Sequence, residues 1–175
     1  KELKNKPYVF VRSTIPFALV KNTDFAVWPE FLTERTWQHD ALNPTTLVIG
    51  GNVDQKQMLV ELTGWTEWHS TENNIAAFMK NATNTFYCMK ISYANMLYDT
   101  CQEEGMSFNE LKHCLKQDAR MGDTHWDVPG PDRHTGYGGK CLPKNLTMMK
   151  DQISSDSKKV LEQIEIYNTL IRMGV

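Results

Sequence analysis

TENNIAAFMKNATNTFYCMKISYANMLYDTCQEEG, residues 71–105, sets the architecture of this 175-residue chain. Apolar residues recur three or four apart through it: Ile75, Phe78, Met79, Ala82, Phe86, Met89, Tyr93, Met96 and Leu97. No proline or glycine interrupts before Gly105, so the spacing predicts one helix over 71–104. Ser70 or Thr71 suits its start and Gly105 its stop. Such a helix is on the order of 50 Å long. It needs apolar cover along its face, and the chain around it is short, so a second subunit is the expected cover.

Toward the N-terminus the period changes. PYVFVR (7–12), DFAVW (24–28) and TLVIGG (46–51) are short apolar runs closed by proline or glycine, and they read as strands. Residues 53–62 read as a short helix. Beyond the long helix, Ser107 caps a predicted helix over 108–116, and 123–135 is a polar loop. Residues 142–151 and 157–173 read as helices, the second amphipathic through Val160, Leu161, Ile164, Tyr167, Leu170 and Ile171. The fold class expected is α/β at the N-terminus followed by a mainly α domain with one long helix. A partial parallel sheet of this kind would leave an unpaired edge.

Composition narrows the partners. A net charge of −2 with 41% hydrophobic residues gives no electrostatic case for nucleic acid or an anionic membrane. No apolar run approaches the roughly 18 residues of a spanning helix. Cys88, Cys101, Cys114 and Cys141 form no C-x-x-C pair and the five histidines no H-x-x-x-H. Free thiols in a reducing cytoplasm and no metal are therefore expected. No G-x-G-x-x-G follows a strand, so the dinucleotide fingerprint is missing from the sequence.

The chemistry concentrates in GYGGKCLPKN, residues 136–145. Gly136, Gly138 and Gly139 let the backbone bend and a ligand approach closely. Cys141 follows just ahead of a predicted helix, beside Lys140 and Lys144, where helix-end amides and cations favour a nucleophilic thiolate over an inert one. Lys80 and Asn84, four apart, share a helix face and could meet negative charge on oxygen; read alone, the pair is more often a solvated stripe. Glu30 and Glu34 flank Phe31 and Leu32 after Pro29, as water-ordering carboxylates or as helix-start acids. Thr14 is a strand-end hydroxyl or a turn residue.

This loop resembles the nucleophile loop of the UDP-glucose/GDP-mannose dehydrogenase family, G-[FY]-G-G-x-C-[FL]-P-K-D. VRSTIP (11–16) resembles the family's V-x-S-T-[VI]-P, and WPEFLTE (28–34) its N-P-E-F-L-R-E, with Thr33 for the arginine. MKNATNTFYCMKISYANML (79–97) resembles its central helix, with Lys80 and Asn84 at the family spacing. The four motifs keep their order across most of the chain.

The resemblance implies NAD-dependent oxidation of a nucleotide sugar, UDP-glucose by default, through a thiohemiacetal and thioester on Cys141. It gives Lys80 and Asn84 the developing oxyanion, Glu34 and Thr14 the hydrolytic water, and Glu30 a supporting place. It brings Phe31, Leu32, Tyr137, Gly138 and Gly139 to the substrate, and Thr14 and Lys144 to the cofactor. Asn145 stands where the family has aspartate, which removes a carboxylate base. Family members carry a nucleotide-binding domain at each end, so this chain is expected to be the middle. Its expected parts are 1–68 as the end of an NAD-binding domain, 69–153 as the helical dimerisation domain with the nucleophile loop, and 154–175 as a helix leading onward. A homodimer through the 71–104 helix and an inactive isolated segment are expected. The alternative from another class is a non-catalytic scaffold derived from the family.

Overall fold

Four strands, each two or three residues long, precede most of the helices among the described residues. The computed structural model describes residues 8–21, 23–33 and 35–174. β1 (Phe10–Val11), β2 (Ala26–Val27), β3 (Val48–Gly50) and β4 (His69–Thr71) form one sheet in sequence order. β1 runs parallel to β2 and β3 to β4, but β2 and β3 are antiparallel, with Val27 opposite Gly50. The sheet is thus mixed where a parallel one is expected. Its two middle strands are joined by a segment holding the six-residue α1 (Trp37–Leu42), which turns the chain back instead of carrying it across the sheet.

The described helices otherwise fall where the periodicity puts them: α2 (Val53–Thr63), α3 (Asn73–Glu103), α4 (Phe108–Leu115), α5 (Cys141–Lys150) and α6 (Ser155–Met173). α3 begins later than Ser70 or Thr71 would place it, because both residues are paired in β4, with Ile49 and Gly50 opposite. Its first turn closes from Glu72, whose carbonyl accepts from the Ala76 amide. At the other end Gly105, at φ 67°, lets the Met106 amide reach back 2.8 Å to the Cys101 carbonyl and satisfies a last-turn acceptor. Ser107 caps α4 by accepting from the Glu110 amide, as its sequence position suggests. Ser154 caps α6 through the Ser157 amide, which starts that helix two residues before the predicted 157.

The chain divides into two compact units, Lys1–Asn81 and Ala82–Val175, with the boundary inside α3. In the first unit both faces of the sheet are covered. Val27 and Val48 pack with Val20, Ala76 and Ala77, while Ala26 and Ile49 pack with Leu59 of α2. Successive strand residues point to opposite faces, so β2 and β3 must be apolar throughout, and they are. The Asn73 side chain ties the start of α3 to β2, accepting from the Val27 amide and donating to the Phe25 carbonyl.

The second unit has two cores along α3. One joins Cys88, Tyr137, Leu146, Met149 and Leu161 between α3, α5 and α6. The other joins Ala94, Cys101, Phe108 and Trp126 under α4. Leu146 is fully buried, and truncating a leucine so placed costs about 2–5 kcal/mol.

Candidate active site

The glycine-rich loop ends at Lys140 and Cys141 is the first residue of α5, with its thiol exposed. No side chain caps this helix, so the first-turn amides of α5 are not taken by an N-cap side chain. Pro143 falls within the first turn, where its missing N–H disturbs no helical bond. Cys88 lies against the same turn, its Sγ 3.5 Å from the Leu142 carbonyl. Burial pushes the Cys88 thiol up to about 12.

Asn145 is fully buried, and its amide donates to the Cys141 carbonyl at 2.8 Å. The side chain at position 145 therefore holds the main chain of Cys141. Lys140, Lys144 and Gly139 are exposed around Cys141, whereas Tyr137 is buried among Cys88, Leu146, Met149 and Leu161. Burial also pushes the Tyr137 phenol well above its ordinary range.

Main-chain groups of the loop are held by buried amides. The Tyr137 amide donates to Asn168 Oδ1 at 2.7 Å, and Asn168 Nδ2 donates to the Tyr137 carbonyl at 3.1 Å. The Gly136 amide donates to Asn95 Oδ1 at 3.1 Å, while Asn95 Nδ2 donates to the Ile91 carbonyl at 2.8 Å. A buried amide left unpaired would cost about 1–3 kcal/mol, so these partners make Asn95 and Asn168 tolerable in the core. Sequence reasoning did not single out either residue. The signal was an asparagine on the buried side of an amphipathic helix, where an unpaired amide is too costly to keep.

In the first unit, Lys80 meets Glu30 and Phe31. Its ammonium donates to the Glu30 carbonyl and lies 4.7 Å from the centre of the Phe31 ring. Arg12 Nε is 3.6 Å from Glu30 Oε2, and its guanidinium sits over Trp28 at 4.2 Å. Phe31 and Leu32 line a cleft with Arg12, Trp28, Glu30 and Trp65 that holds about 10 Å³, room for a single water. Thr14 is half-buried between β1 and the turn at Phe17–Leu19. Asn84 belongs to the second unit and is buried one helical turn from Lys80 along α3. Glu34 lies outside the described residues.

Two ligand types, a metal ion and a dinucleotide, can be weighed against these side chains. Among the described residues no group of three or more His, Cys, Asp or Glu is placed to hold a metal ion. For a dinucleotide, Gly50 at the end of β3 and Gly51 after it lead into α2, the geometry that usually receives a pyrophosphate. Asn52 and Gln55 close that helix start with a capping box, each side chain accepting the other's amide at 2.9 Å. A phosphate would have to displace both, and the described residues do not fit NAD there. None of the described helices is long and apolar enough to cross a membrane.

Residues 74–169 match the model of the UDP-glucose/GDP-mannose dehydrogenase family, central domain, and the chain belongs to that family. It is 27% identical over 163 residues to a UDP-glucose 6-dehydrogenase of Rickettsia conorii, covering 84% of this chain and 36% of that protein. A UDP-glucose 6-dehydrogenase of Haloferax volcanii is 32% identical over 130 residues, 70% of this chain and 29% of its own length. The fold resembles a UDP-glucose dehydrogenase from Pyrobaculum islandicum with a TM-score of 0.80 at 23% identity, over 93% of this chain and 41% of that one. The chain thus spans well under half the length of the relatives it matches.

Proposed function

We propose that this chain is the catalytic and dimerising middle of an NAD-dependent nucleotide-sugar dehydrogenase, with UDP-glucose as its substrate. The observation that carries the reading is the exposed Cys141, first residue of α5, at the end of a glycine loop in a family central domain. In this reading the Cys141 thiolate adds to the aldehyde carbon formed by the first oxidation. The adduct is a thiohemiacetal, and loss of its C–H hydride gives the thioester. Water hydrolyses the thioester, releasing the uronic acid and returning the thiol. NAD supplies the hydride acceptor for both oxidations. It is held by nucleotide-binding parts other than the residues described, with Thr14 and Lys144 at its edge.

Lys80 and Asn84 face the oxygen that becomes negative, and Glu34 and Thr14 order the hydrolytic water. Support for Lys80 comes from its contacts with Glu30 and Phe31, which orient the ammonium. Phe31 and Leu32, with Glu30 and the loop residues Gly138 and Gly139, take the sugar nucleotide, while Tyr137, its ring buried and its main chain bonded to Asn168, supports the loop from the core. Residues 1–68 form the end of the cofactor domain, 69–153 the dimerisation domain and 154–175 the helix beyond it. A homodimer through α3 completes the assembly, in a reducing cytoplasm.

One observation favours a second reading, a non-catalytic scaffold. Asn145 is sealed in the core with its amide on the Cys141 carbonyl and cannot accept a proton as a carboxylate would. The test replaces the matching segment of the Rickettsia conorii relative with this chain and follows NADH formation with UDP-glucose. The dehydrogenase reading expects turnover that Cys141→Ser abolishes and that Asn145→Asp raises by roughly 10²–10⁴-fold. A folded chimera that stays silent even with Asn145→Asp assigns the chain to the scaffold.

A further inference from the structure

We propose that Asn168, with Asn95 beside it, is a positioning residue that holds Cys141 at the start of α5. The inference rests on the reading of Cys141 as the nucleophile. Asn168 grips Tyr137 at both main-chain atoms, as a neighbouring strand would, with bonds of 2.7 and 3.1 Å. Asn95 accepts from the preceding Gly136 amide, and the Ile91 carbonyl fixes which way its own amide faces. Two helices therefore pin two consecutive loop residues through groups that are themselves buried.

The grip requires a glycine at 136. A Cβ there would come within 2.4 Å of Asn168 Oδ1, and the residue sits at φ 72°, a conformation side chains rarely adopt. The same stretch is tied to the end of α6 by three further bonds. Thr135 Oγ1 donates to the Ile171 carbonyl at 2.5 Å, Arg172 Nη1 donates to the Thr135 carbonyl at 3.3 Å, and Arg172 Nη2 donates to Asp132 Oδ2 at 3.0 Å. Tyr137 then plugs the core against Cys88 and Leu146. Only Gly138, Gly139 and Lys140 separate this anchor from Cys141. Three residues, two of them glycine, cannot fix a helix start unaided; the anchored dipeptide supplies the constraint.

The test reads each thiol of the present chain by site-resolved alkylation, with no turnover needed. In Asn168→Ala the first turn of α5 loses its anchor, and Cys141 alkylation is expected to slow at least about threefold relative to exposed Cys114. Asn168→Asp, measured near about pH 6, is expected to restore the parent ratio. A carboxyl this buried keeps its proton above the ordinary range, and the neutral acid accepts and donates as the amide does. Ile49→Ala, in the core of the first unit, which holds neither thiol, provides a variant weakened elsewhere and should leave the ratio unchanged. The proposal is overturned if Asn168→Ala leaves the ratio at its parent value, or if Ile49→Ala shifts it equally. It is also overturned if Asn168→Ala speeds labelling of Cys88 and Cys101 while Asn168→Asp restores nothing. An inactive chimera with the expected labelling pattern would reject the dehydrogenase reading and leave the clamp standing.

Discussion

Cys88 and Cys141 meet the same turn of α5 from opposite surroundings. Cys88 is sealed in the core, where burial disfavours its thiolate, while Cys141 is exposed at the helix start. Near neutral pH, alkylation of Cys141 should exceed that of Cys88 and Cys101 by at least about tenfold, and should also exceed that of exposed Cys114. Mass-spectrometric rates for the four sites decide this, and equal labelling of Cys114 and Cys141 would sink the nucleophile assignment. The placing of Cys141, between a glycine loop and a helix start, was legible because glycines, a cysteine and the helix that follows are local signals. The partners of Lys80 were not, since Glu30 and Phe31 lie about fifty positions away and only the fold joins them. The amide of Asn145 was legible as a missing carboxylate; that it binds the Cys141 carbonyl was not, because helix interiors hide such back-bonds from sequence.

At the scale of elements, every predicted helix appears, and the long α3 and α6 were the plainest because each carries an apolar period along its length. α1 and β4 escaped for the opposite reason. α1 has six residues and buries none, and β4 is His-Ser-Thr, polar and largely exposed, with no alternation to detect. The outer face of α3 was also readable. Phe86, Met89, Tyr93 and Met96 follow a three-four-three spacing and are 59, 38, 49 and 39% exposed, an apolar seam of the kind that packs helices together. In the proposed homodimer that seam is covered. Light scattering at micromolar concentration should give a dimer, and Phe86→Glu or Tyr93→Asp should give a monomer with unchanged helix content. A monomeric parent chain would count against the seam as an interface.

For the second unit taken whole, one imidazole should set the response to mild acid. His125 stacks on Tyr87 with ring centres 3.8 Å apart, at φ 67°, and burial followed by the nearby Lys90 charge lowers its pKa from 6.5. Lys90 is itself lowered, by burial first and then by Lys116, although its ammonium donates to the Met121 and Gly122 carbonyls. Because the unfolded chain takes a proton on this histidine before the folded one does, stability is fully present above the unfolded value. It is lost as pH falls from about 6.5 through the lower folded value. The lowered carboxylates Asp118 and Asp132 act in the same direction but only in their own, more acidic window. Thermal melts between about pH 7 and 5.5 should show a falling midpoint. His125→Asn, which tolerates the left-handed backbone, should flatten the curve. An unchanged slope in that variant would assign the acid response elsewhere.

The placing of the two buried thiols has one more consequence. Cys88 belongs to the core beneath α5 and α6, and Cys101 to the core beneath α4, yet both ride on one uninterrupted helix. The protein therefore carries its own pair of gauges. Each thiol becomes visible to a reagent only when its own core breathes, so their labelling clocks record two local opening equilibria in one molecule without an added probe. Clocks that run together would mean α3 lets go of both cores in one event; clocks that part would mean the helix stays seated on one while the other swings open.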